Sequence, residues 1–546
     1  MHSSGQIADL TGVLGPEHGQ DRAPVVPAGN AEGSGGLGYS LVNGTHARTL
    51  ISQLPSKPVL QQLVDIFFAE VNWHYFILER FYFDDLFSRW QSTEMRPVDY
   101  LSNQELSIEL QYFPALLFQV VALSLQFLPP DALALTQLSS KELSSSYKYS
   151  ELGDELVTML GRHGVALTAV LADFLRASWL KNYGRGIEAW HSAGNAISLM
   201  AMILGRPRTI HPDDCDVKPP IDCNIPKDPS KTVPMTVQPG ESPNGPTTVS
   251  AGLFRYALAC KFHEMRALKA DRPHLKDHNI IQGLHEQVVS LLENVPPYLR
   301  FKSPDTSWDG EYSFLPQLRE EVFMTANLFL MTLHRPHILA SAESRKAALE
   351  ATLATLESQQ RFFGQTSEHH YPLFGLAFYT IDASILLSII VASYPPHGHE
   401  PRQYVYHVLQ QAIERLSYVQ PYNPIARSGL GIVQRCYEKL KEACHSPPNT
   451  SATPSSSVVS PRFELQSLRQ ELSHRNSVPA NDVQSPPSPS SGPEYLDLLA
   501  PAPSMIPDSF SEAYWLDQLN LIQPSSAIGQ DPDMFWDSLL FDRNIL

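Results

Sequence analysis

The sequence predicts an all-α protein: one large, irregular multi-helix domain between disordered N- and C-terminal flanks. Three observations carry this. Between residues 51 and 445, apolar side chains recur at the helical period in segment after segment. Runs of alternating β-branched residues are almost absent. The 45 prolines of the 546-residue chain gather near the termini and in a few internal connections.

Residues 1–50 are rich in Gly, Pro, Ala and Ser and hold few large apolar groups, so they read as a disordered tail. Pro55 and Pro58 punctuate the entry to a first helix, in which Leu60, Leu63, Val64, Phe67, Phe68 and Val71 keep helical spacing up to Trp73. A second apolar run, Tyr112–Leu128, stops at Pro129-Pro130. A third, Leu152–Leu180, reads as one long helix, interrupted afterwards by Gly184 and Gly186; a fourth follows through Ile187, Trp190, Ala193, Ile197 and Leu199. Residues 206–246 have no sustained period and read as an extended connection. Helical patterns resume at Ala251–Ala270, Ile280–Leu292, Leu315–Leu333, Ser344–Phe363, Tyr371–Tyr394, Tyr404–Val419 and Ile425–Cys444. A Ser/Pro-rich linker covers 446–493, and 494–546 forms an acidic, apolar tail. No fixed repeat period supports a solenoid.

Lys and Arg total 40 against 57 Asp and Glu, a formal net charge of −17. No basic stretch is embedded in it, so autonomous DNA binding is not expected of this chain. The start, MHSSGQIADL, lacks the basic and apolar regions of a secretory signal. Five widely spaced cysteines, Cys215, Cys223, Cys260, Cys436 and Cys444, make a disulfide framework improbable.

Tyr371–Tyr394 is apolar over a length that could span a bilayer, yet Asp382 stands at its centre and no Lys or Arg anchors flank it. A helix buried on all sides explains the same pattern, with Asp382 hydrogen-bonded or facing a cavity, and no membrane is expected.

Catalytic motifs are missing. There is no G-x-S-x-G, no phosphate-binding loop and no G-x-G-x-x-G, so no enzyme is expected. His211, Asp213, Asp214, Cys215 and Cys223 lie close in sequence, but their spacing fits no standard zinc site. Asp residues that cap or turn a Pro-rich strap, with Cys215 packed as a small apolar group, account for them better. His369-His370 and His397-Gly-His399 flank a helix without the i,i+4 spacing of a helical metal site, and read as surface loop residues.

The tail is the most suggestive segment. Tyr514, Trp515, Leu516 and Leu519 are interleaved with Glu512 and Asp517; Met534, Phe535, Trp536, Leu539, Leu540 and Phe541 with Asp531, Asp533, Asp537 and Asp542. Repulsion between the acids keeps the aromatics solvated until a groove accepts them as a short amphipathic helix. This is the composition of an activation segment, with Trp515, Leu519, Phe535, Trp536 and Leu540 as anchors. A terminal helix packed on the parent domain is the competing reading.

Four ordered segments resemble the middle homology region of the fungal binuclear zinc-cluster transcription factors. FFAEVNWHYFILERFYF (Phe67–Phe83) looks like its opening signature, and GIEAWHSAGNAI (Gly186–Ile197) like a later helix. LGRPRTIHPDDCDVKPP (Leu204–Pro220) is similar to its Gly-Arg-Pro strap, and LHRPHI (Leu333–Ile338) to a frequent family element. The signature positions are Trp73, Trp190, Gly205, Arg206, Pro207, Asp214, His334, Arg335 and Pro336. The resemblance implies a nuclear transcription regulator of a metabolic or secondary-metabolite gene cluster. Its helical domain would tune activation, sometimes in response to a small-molecule effector, and its tail would engage coactivators or the transcription machinery. The alternative is a helical small-molecule-binding or scaffolding protein without transcriptional output.

Two departures stand out. The family's N-terminal zinc cluster and dimerising coiled coil have no counterpart here. A binuclear cluster needs six thiolates, and this chain has five cysteines, none in a C-x-x-C pair, so no zinc cofactor is expected. The stretch that the family places between the second and third segments is also missing, and the junction at Ile197–Ser198 reads as an excision, from a gene-model error, alternative splicing or a shortened regulator. The purified chain should therefore hold no stoichiometric binuclear zinc. It should also show no nanomolar preference for one DNA sequence over scrambled DNA at physiological salt; metal analysis and a titration check both.

Overall fold

The computed structural model describes residues 45–94, 107–139, 143–160, 166–192, 222–223, 245–273, 275, 277–396 and 398–445. Among them every regular element is a helix, as the periodicity predicts. The extended connection falls largely outside the described residues, as do the linker, the tail and most of residues 1–50. Helical structure nevertheless starts ahead of the expected boundary. Residues 45–51 form α1, whose Ala47, Leu50 and Ile51 are spaced for one helix face and are all buried.

Helix α2, Lys57–Ile66, carries Pro58 in its first turn, where a missing N–H costs nothing, and buries Val59, Leu60, Leu63 and Val64. The sequence reads as continuous helix to Trp73, but the winding changes. It widens into a π turn at Phe67–Val71 and tightens into a 3-10 turn at Asn72–His74. Asn72 holds the reversal that follows, donating from Nδ2 to Leu78 O at 2.8 Å while its Oδ1 accepts from Leu78 N at 3.1 Å. Within this loop Phe76 takes a left-handed φ of 49°.

Helix α3, Arg80–Glu94, was not anticipated, although Phe83, Leu86, Phe87 and Trp90 carry the i, i+3, i+4, i+7 signal and are buried. Next come α4 (Ile108–Gln126), the short α5 (Ala134–Gln137), α6 (Ser146–Leu160) and α7 (Leu167–Asn182). The single helix expected over Leu152–Leu180 is thus two. The residues between them, outside the described set, include Gly161 and Gly164, two poor helix formers. Helices α4 and α6 approach closely at Gly153, where a Cβ would fall 2.5 Å from Gln119 Nε2. That nitrogen instead donates to Ser150 O at 2.8 Å, and Ser150 Oγ donates back to Gln119 Oε1 at 3.0 Å. Gly184, at φ 73°, turns the chain into α8 (Gly186–Ser192).

The second half comprises α9 (Ser250–Ala267), α10 (His278–Glu293), α11 (Leu315–His334), α12 (Ala342–Gly364), α13 (Phe374–Ser393), α14 (His399–Val419) and α15 (Pro424–His445). Helix α13 packs against α11, α12, α14 and α15. Both α4 and α13 are long and apolar enough to cross a bilayer, and 94% of the most apolar stretch of α13 is buried inside the protein. At Gly429 of α15 a Cβ would stand 2.2 Å from Ile381 Cδ1, so any larger residue would force the Ile381 side chain to move.

The polar residues in the middle of α13 are satisfied. Thr380, Ser384 and Ser388 donate to the carbonyl one turn back at 3.0, 2.7 and 2.7 Å. Asp382 needs an outside partner and finds one in Arg335, just beyond α11, whose Nη2 reaches both carboxylate oxygens at 2.7 Å. Both side chains are buried. Removing one partner strands the other charge. Arg335→Met or Asp382→Ala alone should lower the unfolding free energy by about 3–5 kcal/mol, while Arg335→Met with Asp382→Leu should recover most of that loss. Urea denaturation of the three variants tests this; equal losses in single and double variants would refute it.

Candidate functional site

The loop after the π turn places His74 and Tyr75 beside the ends of three other helices, and a cavity of about 70 Å³ opens between them. Phe67, Phe127, Leu175 and Phe374 form its apolar wall; His74, Tyr75, Lys181, Arg255, Glu321 and Tyr379 form the polar one. The space suffices for several waters or a small organic group.

Each polar residue has a traceable support. Glu321 of α11 accepts from His74 Nδ1 at 3.0 Å and from Arg255 Nη2 at 3.0 Å. Arg255 of α9 also donates from Nη1 to His74 O at 2.6 Å. Burial alone would raise the Glu321 pKa; His74, Arg255 and Lys181 together outweigh it and hold the carboxyl below its ordinary value. Thr325 Oγ1 lies 3.4 Å from the Tyr379 hydroxyl. Because a carboxylate only accepts, His74 Nδ1 donates this bond, and its buried Nε2 has no partner.

Lys181 closes α7 with its ammonium donating to the Tyr75 hydroxyl. It lies 4.7 Å from the centroid of the Tyr75 ring and 5.3 Å from that of Phe374. Burial pushes its pKa down to about 8, against the pull of Glu321. Asn182 sets the register between halves of the chain: its Oδ1 accepts from Phe374 N at 3.2 Å, and its Nδ2 donates to Gln126 Oε1 at 3.0 Å.

A second cluster lies close by. His369 and His370 sit on the 3-10 turn Glu368–His370, which docks on the π turn at Glu70. They are therefore not surface loop residues: His370 is buried and His369 largely so. Glu70 Oε2 is 3.3 Å from His369 Nε2 and 3.4 Å from His370 Nε2, and the three groups present donor atoms within 4.8 Å of one another. Such a set could approach a metal ion. However, His370 Nε2 also donates to Glu70 O at 3.1 Å, and its Nδ1 is buried without a partner. Metal on Nε2 would move the proton to Nδ1, where nothing accepts it, whereas metal-bound histidines nearly always have such an acceptor. The cluster fits a docking clamp better than a metal centre.

The residues singled out from sequence go elsewhere. Trp73 is buried against Phe314, with ring centroids 6.1 Å apart. Trp190 lies on α8. His334, buried at the end of α11, pairs through Nε2 with His285 Nδ1 at 2.9 Å, while Arg335 holds Asp382 and Pro336 lies in the following 3-10 turn. None of them lines the cavity. Gly205, Arg206, Pro207, Asp214 and the anchors Trp515, Leu519, Phe535, Trp536 and Leu540 lie outside the described residues. His211, Asp213 and Cys215, the last expected to pack as a small apolar group, also lie outside the described residues; Cys223 is described and is buried. Sequence reasoning missed Lys181, Arg255 and Glu321, which come from three helices with no local motif between them.

The buried histidines make stability pH-dependent. Burial, with His369 and His74, holds the His370 pKa down to about 4; burial, with His285 and His337, holds His334 down to about 3. The unfolded chain titrates both near about 6.5. Their contribution is thus complete above that value and is lost as pH falls toward the folded values, because the unfolded state takes up protons that the native state refuses. Glu70, lowered first by its hydrogen bond from His369, and Glu321 add losses only in the carboxylate range below. The melting temperature should already fall between about pH 6.5 and 4.5, with a shallower slope in His370→Gln. A flat profile over that interval would count against buried neutral histidines.

Compared with protein-family models, curated proteins and solved structures, the chain returns no match.

Proposed function

We propose that this chain is the regulatory part of a nuclear transcription regulator, with a helical body that binds a small molecule and an acidic tail that engages coactivators. The observation that carries the ligand-binding half is the cavity, where charged side chains from three helices converge on open space beside an apolar wall. Burying such charges costs stability, so a site that gathers them around an opening suits a ligand better than it suits folding. The transcriptional half rests on the resemblance of the four segments and on the tail's composition. No catalytic role is assigned.

The chain should be fused whole to an unrelated DNA-binding domain and read with a reporter. The fusion should activate, and changing Trp515, Leu519, Phe535, Trp536 and Leu540 together to alanine should cut output by about tenfold or more, since large apolar groups carry most docking energy. Ser178→Phe, which fills the cavity from its wall, should shift output without lowering the protein level. A well-expressed, nuclear but silent fusion would overturn the transcriptional half and leave a helical small-molecule-binding protein.

A further inference from the structure

Building on the cavity as a ligand site, we propose that its ligand is a small monocarboxylic acid with an apolar body, held by the Lys181 ammonium and the Tyr75 hydroxyl. The argument starts from charge. Two cations, Lys181 and Arg255, and one carboxylate, Glu321, line the space. Both oxygens of that carboxylate are already engaged, Oε1 by His74 and Oε2 by Arg255. Among the described residues no carboxylate lies within ion-pair distance of Lys181; its hydrogen-bond partner is the phenol of Tyr75. Counting Lys181, Arg255 and Glu321, the site carries at least one positive charge in excess, next to an opening, and an anion offsets it.

Hydrogen-bond valence points the same way. An ammonium has three donors, and one of them goes to Tyr75. The Tyr75 oxygen accepts that bond, so its own hydrogen is left to donate, with no acceptor among the described residues. An ammonium and a phenol donor side by side match the two oxygens of one carboxylate. Phe67, Phe127 and Phe374 supply the apolar wall for the rest of the ligand. A neutral isostere such as an amide would leave Lys181 uncompensated, so the site should discriminate by charge rather than by shape.

The test is calorimetric titration of the full chain with acetate, propionate, acetamide and propionamide, which match a cavity of about 70 Å³. At least one acid should bind about tenfold or more tightly than its own amide. Lys181→Gln should abolish that preference, and Tyr75→Phe should weaken the acid several-fold while leaving the amide unchanged. The groups facing Lys181 are Tyr75, Arg255 and Glu321, with His74 and Tyr379 behind them. Acid affinity should fall as pH rises through the Lys181 value of about 8, and this dependence should vanish in Lys181→Gln. If Lys181→Gln does not fold, the pH series and Tyr75→Phe decide the question on their own. Equal binding of acid and amide, or an acid preference that survives Lys181→Gln, overturns the ligand class and leaves the cavity as a ligand site. No binding of any of the four probes overturns both.

Discussion

A carboxylate in the middle of the most apolar helix sets the terms for the rest of the molecule. Helix α13 is surrounded by other helices, and apolar contacts alone would let it slide or rotate at small cost. Asp382 removes that freedom. Its partner, Arg335, follows directly on α11, so a displacement by one turn would leave two buried charges unpaired, at several kcal/mol. The pair therefore fixes α11 against α13. Glu321 stands on α11 and Tyr379 on α13, less than one turn before Asp382, so the same register that satisfies the ion pair places both residues on the cavity.

The opposite wall is set by amides rather than charges. Asn182, at the end of α7, caps the start of α13 through Phe374 N and reaches back to Gln126 at the end of α4. Asn423 does the equivalent at α15, where Oδ1 accepts from Ile425 N and Ala426 N while Nδ2 donates to the carbonyls of Tyr371 and Leu373. The residues preceding α13 are thus held from two sides by asparagines distant in sequence. Lys181, next to Asn182, inherits its position from this arrangement. Widening to a π turn at Phe67–Val71 supplies the remaining wall, because it shifts the register so that His74 and Tyr75 reach the cavity.

The helices were legible where burial covers one face or a whole element. α4, α11, α12, α13 and α15 all announce themselves by apolar period, and the paired state of Asp382 follows from the cost of leaving it alone. Winding defects were not legible: nothing in FFAEV distinguishes a π turn from an α turn, since the change is imposed by what docks on it. The break between α6 and α7 was signalled by Gly161 and Gly164 and overridden by the strength of the flanking period. Helix α3 was missed although Phe83, Leu86, Phe87 and Trp90 carried its pattern. The cavity could not be read at all. Lys181, Arg255 and Glu321 each resemble an ordinary charged residue on an amphipathic helix, and only the packing of three helices turns those faces inward.

That inward turn separates the cavity from the other buried polar groups. Thr380, Ser384 and Ser388 of α13 spend their hydrogen bonds on their own helix, Gln119 and Ser150 satisfy each other, and Arg335 and Asp382 cancel. In these arrangements the buried groups answer one another. Around the cavity the accounting does not close. Glu321 is doubly held, but Lys181 answers to a neutral phenol, His74 Nε2 has no partner, and the charge sum is positive. The ammonium donates to Tyr75, lies over two aromatic rings and helps keep Glu321 ionised, but no carboxylate among the described residues pairs with it directly. Its imbalance becomes favourable only when something negative enters the space beside it.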